Sequence, residues 1–306
     1  MIKNIKIFLI IFFIFFPKTH ALENKIILKV NNDIITTIDI LNEINQLKFF
    51  NKNIINLSDE EIYKISLNSI LQHKIKNNEI LKNRIKLTDN DYLNSIIEDR
   101  YEQMGFKDLK SFKQELIVKK IDFEHFVEKI KVELIWNQLI YLKFNDKLII
   151  DTEELKKKIL NQNTSYKVFN LKEILFQVSS VNEIDNIYMN IKNDIQKIGF
   201  ENAAIKFSTS ETALDGGKLG WVEEKLLNKE LLNELNSIPL GEITKPIRIS
   251  SGFLILQKYN VRDQEKNFDE EFELNRIINF EKNRQLKNFS NLYYNKVKMD
   301  IKVNAP

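Results

Sequence analysis

The sequence offers few residues that could carry covalent or metal chemistry. Cysteine is absent, which excludes disulfides, thiolate nucleophiles and thiolate metal sites. The three histidines are His20, His73 and His125, and their spacing does not form a metal-ligand pair. No phosphate-binding loop or nucleophile elbow occurs in the chain. We therefore expect no bound cofactor and no metal ion.

The residues with the most informative spacing are glycines. Of the seven glycines in the 306 residues, five lie between residues 213 and 258: Gly216, Gly217, Gly220, Gly241 and Gly252. Glycine is used where the backbone takes a positive φ or passes close to another strand. The stretch therefore predicts a compact, turn-rich α+β module, and the remaining sequence, poor in glycine and proline, is typical of helical scaffolding.

Three motifs in this stretch point to a known type of domain. They are Ala-Leu-Asp-Gly-Gly-Lys-Leu-Gly-Trp at residues 213–221, Gly-Glu-Ile-Thr-Lys-Pro-Ile at 241–247 and Ser-Gly-Phe-Leu-Ile-Leu at 251–256. In their order and spacing they resemble a parvulin-type peptidyl-prolyl isomerase domain. We expect that domain to cover residues 164–262.

The resemblance also shows where the chemistry departs from the pattern. It implies two histidines and a cysteine or aspartate around the substrate amide, but the matching positions are Glu173, Leu254 and Ser210. No histidine lies in the predicted domain. We expect isomerase activity to be weak or lost, with no confident catalytic residue. For Glu173 two interpretations stay open, a new polar contact and a solvated carboxylate at the groove edge, and we expect the second.

The apolar positions of the resemblance are kept in kind. Leu219 matches a leucine of the substrate pocket, and Leu227 and Leu231 stand where the family has methionine and phenylalanine. With Phe253, these residues are the predicted peptide-binding positions. A groove of this composition would hold an extended apolar or aromatic peptide.

The elements on either side have readable boundaries. Short strands are expected at residues 26–30 and 34–36, followed by helices at 37–50, 58–83, 88–105 and 123–144. Thr37 is the expected cap of the first helix, and capping boxes, Ser58 with Glu61 and Thr88 with Asp91, start the next two. Near the other end, apolar spacing predicts a helix over 272–297, and alternation predicts a strand over 298–303.

This element order resembles the SurA family of chaperones, as does Lys-Val-Asn-Asn-Asp-Ile-Ile-Thr at residues 29–36. The resemblance implies an α+β fold: a mostly helical chaperone module built from both chain ends, with one parvulin-type α/β domain inserted. The expected parts are an N-terminal helical domain at 22–163, the inserted domain at 164–262, and a helix and strand at 263–306 that complete the first part.

Residues 1–21 resemble a secretory signal peptide. Lys3 and Lys6 precede an apolar run at residues 7–16, and Thr19 and Ala21 supply small residues before a cleavage site. Ten apolar residues are fewer than the roughly 20 that span a bilayer, so a permanent anchor is the less favoured alternative. The chain's formal charge of +3 equals its three leader lysines, counting Lys18. Without the leader no basic excess remains to favour a nucleic-acid partner.

Three functions remain open from sequence. The first is a periplasmic chaperone that binds unfolded outer-membrane β-barrel precursors or other extended aromatic-rich peptides. The second is an active prolyl isomerase of the cell envelope, and the third is a structural partner of an envelope complex. Binding of unfolded porin-like peptides would separate the first from the third.

Overall fold

A computed structural model describes residues 24–31, 33–87, 90–160, 165–265 and 269–304. The predicted signal peptide and the proposed cap at Thr88 lie outside these ranges. The strands are β1 (Ile26–Val30), β2 (Asp33–Thr36), β3 (Ser165–Phe176), β4 (Lys218–Glu223), β5 (Ile247–Ile249), β6 (Gly252–Glu265) and β7 (Val303–Asn304). The α-helices are α1 (Thr37–Phe50), α2 (Asp59–Lys82), α3 (Asn90–Gln103), α4 (Leu109–Val118), α5 (Phe123–Phe144), α6 (Thr152–Leu160), α7 (Ile184–Ile198), α8 (Phe200–Phe207), α9 (Lys229–Ser237) and α10 (Glu270–Met299).

The two chain ends meet in one small sheet. Its strand order is β2-β1-β7, and all its pairs are antiparallel. Val30 is opposite Asp33 in the hairpin and opposite Val303 across the chain ends. The hairpin turns at Asn31, whose φ of 52° lies in the left-handed region that asparagine tolerates. Strand β7 thus completes a sheet that the first residues of the module begin.

The helical module is also built from both ends of the chain. Phe289 of α10 stacks on Phe144 of α5 with ring centroids 4.9 Å apart, and Tyr293 stacks on Trp136 at 5.7 Å. Trp136 is 0% exposed, and its indole nitrogen donates to the Ser290 hydroxyl at 2.9 Å. This packing confirms the expected α+β class, with helical scaffolding drawn from both ends.

Four local predictions were wrong. The cap of α1 is Thr36, whose side chain and that of Asp39 form the capping box. Helix α4 was missed because it has only ten residues, although Asp108 caps it and Phe112 is fully buried on it. A helix expected over residues 226–235 begins only after the capping residue Asn228 and is α9, Lys229–Ser237.

The fourth error concerns the C-terminal strand. Helix α10 continues to Met299, so the predicted strand over 298–303 shortens to Val303–Asn304. Ile301 still packs against the buried residues of the β1–β2 end, as its apolar character requires. The alternation of apolar residues therefore described a helix end and a connecting turn rather than a strand.

The second sheet is antiparallel with strand order β4-β3-β6-β5. Alternate residues of its central strands point to opposite faces. Ile174, Phe176 and Ile255 pack toward helices α7 and α8. The opposite face carries a cluster that we call the leucine cluster: Phe169, Leu171, Val222, Leu235, Leu254 and Leu256. This sheet runs from Ser165 to Glu265, and the boundaries proposed at residues 163 and 262 remain predictions.

One glycine of the glycine-rich loop is fixed by close approach to this sheet. Gly217 has a φ of +75°, and a Cβ placed on it would lie 2.2 Å from the carbonyl oxygen of Glu173. The Glu173 amide in turn donates to the Gly217 carbonyl at 2.7 Å. No side chain fits between the two backbones, so the loop is held directly against β3. Separately, none of the helices in the described ranges is both long and apolar enough to cross a membrane.

Candidate functional site

Two of the three predicted catalytic positions lie in one chain of hydrogen bonds. The Thr212 hydroxyl donates to the Glu173 carboxylate at 2.8 Å and is 2.7 Å from the Ser210 hydroxyl. Ser210 is 2.9 Å from the Ser208 hydroxyl, and it is 4% exposed. The loop after α8 therefore places Ser210 and Glu173 at one site through Thr212, a residue that sequence analysis did not select.

The expectation of a solvated Glu173 was wrong. The residue is only 8% exposed, and the Lys287 ammonium group of α10 donates to its carboxylate at 3.0 Å. A carboxylate buried to this extent needs such a partner, because an unpaired buried charge is costly. Glu173 is thus a polar contact that joins the sheet to the C-terminal helix; a polar contact from Glu173 to a peptide remains a prediction.

The third position, Leu254, contributes only hydrocarbon. It lies opposite Leu175 in the β3–β6 ladder and belongs to the leucine cluster. A leucine cannot donate a hydrogen bond to an amide that rotates about its C–N bond, whose barrier is about 18–20 kcal/mol. The hydroxyls at Ser210 and Thr212 are engaged with one another and with Glu173. The site therefore offers no imidazole or thiol to a substrate amide.

The structure brings together three of the four predicted peptide-binding residues. Leu219, Leu227 and Leu231 pack against the leucine cluster, next to Leu254. Phe253 does not join them, because neighbouring strand residues point to opposite faces. It packs on the other side of the sheet, with its ring 5.8 Å from that of Phe176. The peptide-binding role of the three leucines remains a prediction.

A cleft that was not predicted lies between the helical module and the module built on the second sheet. A cleft of about 560 Å³ separates helices α1, α2 and α5 from the loop that follows α8. Its apolar walls include Leu47, Phe50, Phe126, Ile130 and Phe207. The sequence carried the helical spacing of Phe126 and Ile130, which is equally typical of a core, and it singled out Ser210, which also lines the cleft, for a different reason. The cleft depends on how distant segments meet, and no local signal could have found it.

The cleft lysines of α2, α5 and α8 are paired with carboxylates. Both carboxylate oxygens of the fully buried Glu43 accept from Lys129, at 2.7 and 2.8 Å. Lys76 pairs with Glu133 at 2.5 Å. Lys206 bridges across the modules to Glu61 of α2 at 2.7 Å and also pairs with Asp194. These pairs leave the apolar side chains, the neutral amides and the exposed Glu211 and Lys298 as the groups that a ligand would meet.

Two histidines lie near this cleft, His73 on α2 and His125 on α5, with ring centroids 6.3 Å apart. Burial, followed by the nearby Lys129 ammonium group, lowers the pKa of His73 to about 3. The Gln46 amide nitrogen is 3.1 Å from Nδ1 of His125. Within the described ranges, no group of three or more histidine, aspartate or glutamate side chains could hold a metal ion.

Comparison with known proteins identifies the second module. Residues 168–259 match the family model of the rotamase, described as a PPIC-type PPIase domain. The chain contains a parvulin-type domain. The match includes Glu173, Ser210 and Leu254, so the departures from the family pattern lie inside the recognised domain.

The chain is also similar to SurA chaperones, as the sequence motifs predicted. It is 26% identical over 193 residues to Chaperone SurA of Pseudomonas putida, covering 60% of this chain and 45% of that one. It is 23% identical over 278 residues to Chaperone SurA of Hydrogenovibrio crunogenus, covering 87% and 61%. The chain thus spans about half the length of these curated relatives.

Two solved structures are also similar to the chain. One belongs to a study of two SurA-like chaperones of Campylobacter jejuni; it is 19% identical, covers 92% of this chain and 99% of that one, and has a TM-score of 0.37. The peptidylprolyl isomerase PrsA of Bacillus anthracis is 20% identical, with 78% and 99% covered and a TM-score of 0.30.

Proposed function

We propose that the protein is a periplasmic chaperone that holds unfolded polypeptide segments in the cleft between its helical module and its parvulin-type domain. The observation that carries this proposal is the composition of the cleft walls. Apolar side chains from α1, α5 and the loop after α8 face one another across about 560 Å³. Clefts of this size that bury apolar surface are the usual form of a binding site.

The ion pairs in the walls favour an uncharged ligand. Lys129 and Lys76 are already neutralised by Glu43 and Glu133, so an acidic ligand would have to displace a carboxylate that is held in place. A neutral apolar segment displaces no ion pair when it enters, and the amides of Asn68 and Gln72 line the cleft beside it. Such amides satisfy the backbone of an extended peptide without selecting its sequence.

The proposed clients are unfolded outer-membrane β-barrel precursors. Strands of these proteins alternate apolar and polar residues and are rich in aromatic side chains. Before they fold, their exposed strand edges pair with one another and aggregate. The similarity to SurA chaperones and the predicted signal peptide support a location in the periplasm, where such precursors pass.

We further propose that the parvulin-type domain isomerises proline bonds weakly or not at all. Binding requires buried apolar area, whereas acceleration requires groups that stabilise the twisted amide more than the planar one. The first requirement is met by Leu219, Leu227 and Leu231. The second lacks a candidate, because Leu254 is apolar and Glu173 is paired with Lys287.

The test adds charge to the cleft. The double variant Asn68→Glu/Gln72→Glu places two unpaired carboxylates on the α2 wall, and desolvating them would oppose entry of an apolar segment. The matched control, Asn193→Glu/Gln196→Glu, makes the same chemical changes on α7 outside the cleft. Light scattering of a β-barrel protein diluted from urea measures protection.

We expect the control to protect like the unaltered chain and the cleft variant to require several-fold more protein for the same protection. Equal protection by both variants would place the binding site elsewhere. If the unaltered chain gives no protection, the chaperone proposal is wrong and a structural role in an envelope complex becomes the better account.

A further inference from the structure

Helix α10 makes contacts on two opposite faces. At about 3.6 residues per turn, Phe280 and Phe289 lie on nearly opposite sides of the helix. Phe289 and Tyr293 face the helical module, where they stack on Phe144 and Trp136. Phe280 faces the parvulin-type domain and packs against the leucine cluster. The helix that completes the chaperone module is therefore also a wall of the other module.

The second face contacts the parvulin-type domain along most of its length. Glu273 accepts from Lys225 at 2.7 Å, and Ser290 donates to Glu211 at 2.8 Å. Between them, Phe280 packs on the leucine cluster and Lys287 donates to Glu173. From residue 273 to residue 290 the helix rises about 25 Å, which is the width of a small domain.

These contacts fall on the positions that a parvulin-type domain would offer to a peptide. The leucine cluster holds Leu254 and is packed by Leu219, Leu227 and Leu231. Glu173 and, through Thr212, Ser210 belong to the polar part of the same site. We propose that α10 closes the peptide groove of the parvulin-type domain, and that a proline-containing peptide enters only when the Lys287–Glu173 pair opens. This proposal does not depend on the chaperone activity.

The two ends of the contact differ in how firmly they are held. At the start of α10, Glu273 and Glu223 share Lys225 and Arg276, with carboxylate and ammonium groups that are almost fully buried. Removing one partner from such a buried network leaves an uncompensated charge, which makes this end costly to open.

The other end is held more weakly. It has a single ion pair in place of a four-group network, and the Lys287 side chain is 29% exposed; when the pair opens, water can solvate the lysine and enter to reach the Glu173 carboxylate, so fewer buried charges lose their partners than at the Glu273 end. Opening at Lys287 also leaves the aromatic stacks of Phe289 and Tyr293 on the opposite face untouched. The geometry therefore favours rotation of the domain about the buried Glu273 end, with α10 kept in the helical module.

The absence of cysteine from the sequence permits a clean test. Ser210→Cys changes a buried hydroxyl, which also lines the cleft, to a thiol, and the gain in its reaction rate with a maleimide over that of the otherwise unaltered chain reports opening at α10. In this background, Lys287→Glu places a like charge beside Glu173 and should open the contact. The matched control is Lys282→Glu, an exposed position on the same helix. The exchanged pair Glu173→Lys/Lys287→Glu should close it again.

The second readout is binding of a fluorescent Ala-Leu-Pro-Phe tetrapeptide by anisotropy, made on the same proteins without the added cysteine. Thermal melts of each protein verify that it is folded. We expect Lys287→Glu to raise both the labelling rate and the peptide affinity about tenfold, which corresponds to a shift of about 1.4 kcal/mol in the opening equilibrium. Lys282→Glu should match the unaltered chain, and the exchanged pair should lower both quantities again relative to Lys287→Glu.

Either of two results overturns the proposal. If Lys287→Glu labels no faster than Lys282→Glu, then α10 does not control access to Ser210. If it labels faster but binds the tetrapeptide no better, then the helix is not what withholds the groove from peptides. A rise in both quantities that the exchanged pair fails to reverse would also contradict the assigned role of the Lys287–Glu173 pair.

Discussion

The Ser290 hydroxyl of α10 forms hydrogen bonds to both modules, and Ser290→Ala tests how much these bonds stabilise the fold. The hydroxyl accepts from the Trp136 indole at 2.9 Å and donates to the Glu211 carboxylate at 2.8 Å. Trp136 belongs to α5, and Glu211 to the loop of the parvulin-type domain. Replacing the hydroxyl by hydrogen removes both bonds without adding bulk.

The cost follows from which partner water can reach. Glu211 is exposed, so its carboxylate regains hydrogen bonds from solvent. The Trp136 indole is fully buried, and a buried donor without a partner costs about 1–3 kcal/mol. Alanine favours the helix by roughly 0.5 kcal/mol relative to serine. The net loss is therefore about 0.5–2.5 kcal/mol, which lowers the melting temperature of a chain of about 300 residues by roughly 1–4 °C.

A double-mutant cycle with Trp136→Phe isolates the indole hydrogen bond. Phenylalanine has no N–H group, so Ser290→Ala should cost about 1 kcal/mol less in that background. The control is Ser95→Ala on α3, an exposed serine that bonds only to its own helix at Tyr92; it reports the helix preference alone. Urea unfolding, followed by circular dichroism, measures the stability of the four proteins of the cycle and of Ser95→Ala. Equal costs of Ser290→Ala in both backgrounds would refute the reasoning.

Three further predictions concern stability. Burial lowers the pKa of His73 to about 3, so below pH 6.5 the unfolded chain binds a proton that the folded chain does not, and the free energy of unfolding falls from pH 6.5 toward pH 3. The slope of this fall is at most about 1.4 kcal/mol per pH unit, and His73→Gln should remove this contribution when urea unfolding is measured. Truncation after Arg262 deletes α10 and β7 and should leave a chain that aggregates and shows no cooperative calorimetric melt; an unchanged melting temperature would contradict the shared core. In thermal melts Gly217→Ala should lower stability clearly more than Gly105→Ala, because both glycines have a positive φ but only a Cβ at Gly217 would meet the Glu173 carbonyl. If both variants lose the same stability, about 1–2 kcal/mol from φ alone, then the loop does not approach β3 closely.

Local patterns predicted the parts of the fold that local physics determines. The capping box of Ser58 with Glu61 forms as expected, and the short strand expected at residues 26–30 forms as β1. The cap of α1 was misplaced by one residue because Thr36 and Thr37 are equally able to cap, and only the position of Asp39 decides between them. Helix α4 was missed because its ten residues carry too few turns of apolar spacing to stand out.

The candidate site shows more clearly what local sequence patterns cannot predict. The motifs located Glu173, Ser210 and Leu254, and the structure joins the first two through Thr212. Burial of Glu173 could not be predicted, because its partner Lys287 is 114 residues away in sequence. A lysine on a charged helix gives no local indication of the carboxylate it will contact. The cleft between the modules is unpredictable for the same reason, since each wall alone looks like an ordinary amphipathic helix.

Proline isomerisation and aggregation suppression, measured on one preparation, test the account most directly. The chain should prevent light scattering by an unfolded β-barrel protein at near-equimolar ratio, while a protease-coupled assay with a proline tetrapeptide shows a rate close to the uncatalysed one. Buried apolar area persists at the leucines of the groove, but the polar groups that would stabilise the twisted amide are replaced by Glu173, Ser210 and Leu254. A high specificity constant that Leu231→Asp abolishes, with no protection of the unfolded protein, would contradict the account and establish an active isomerase.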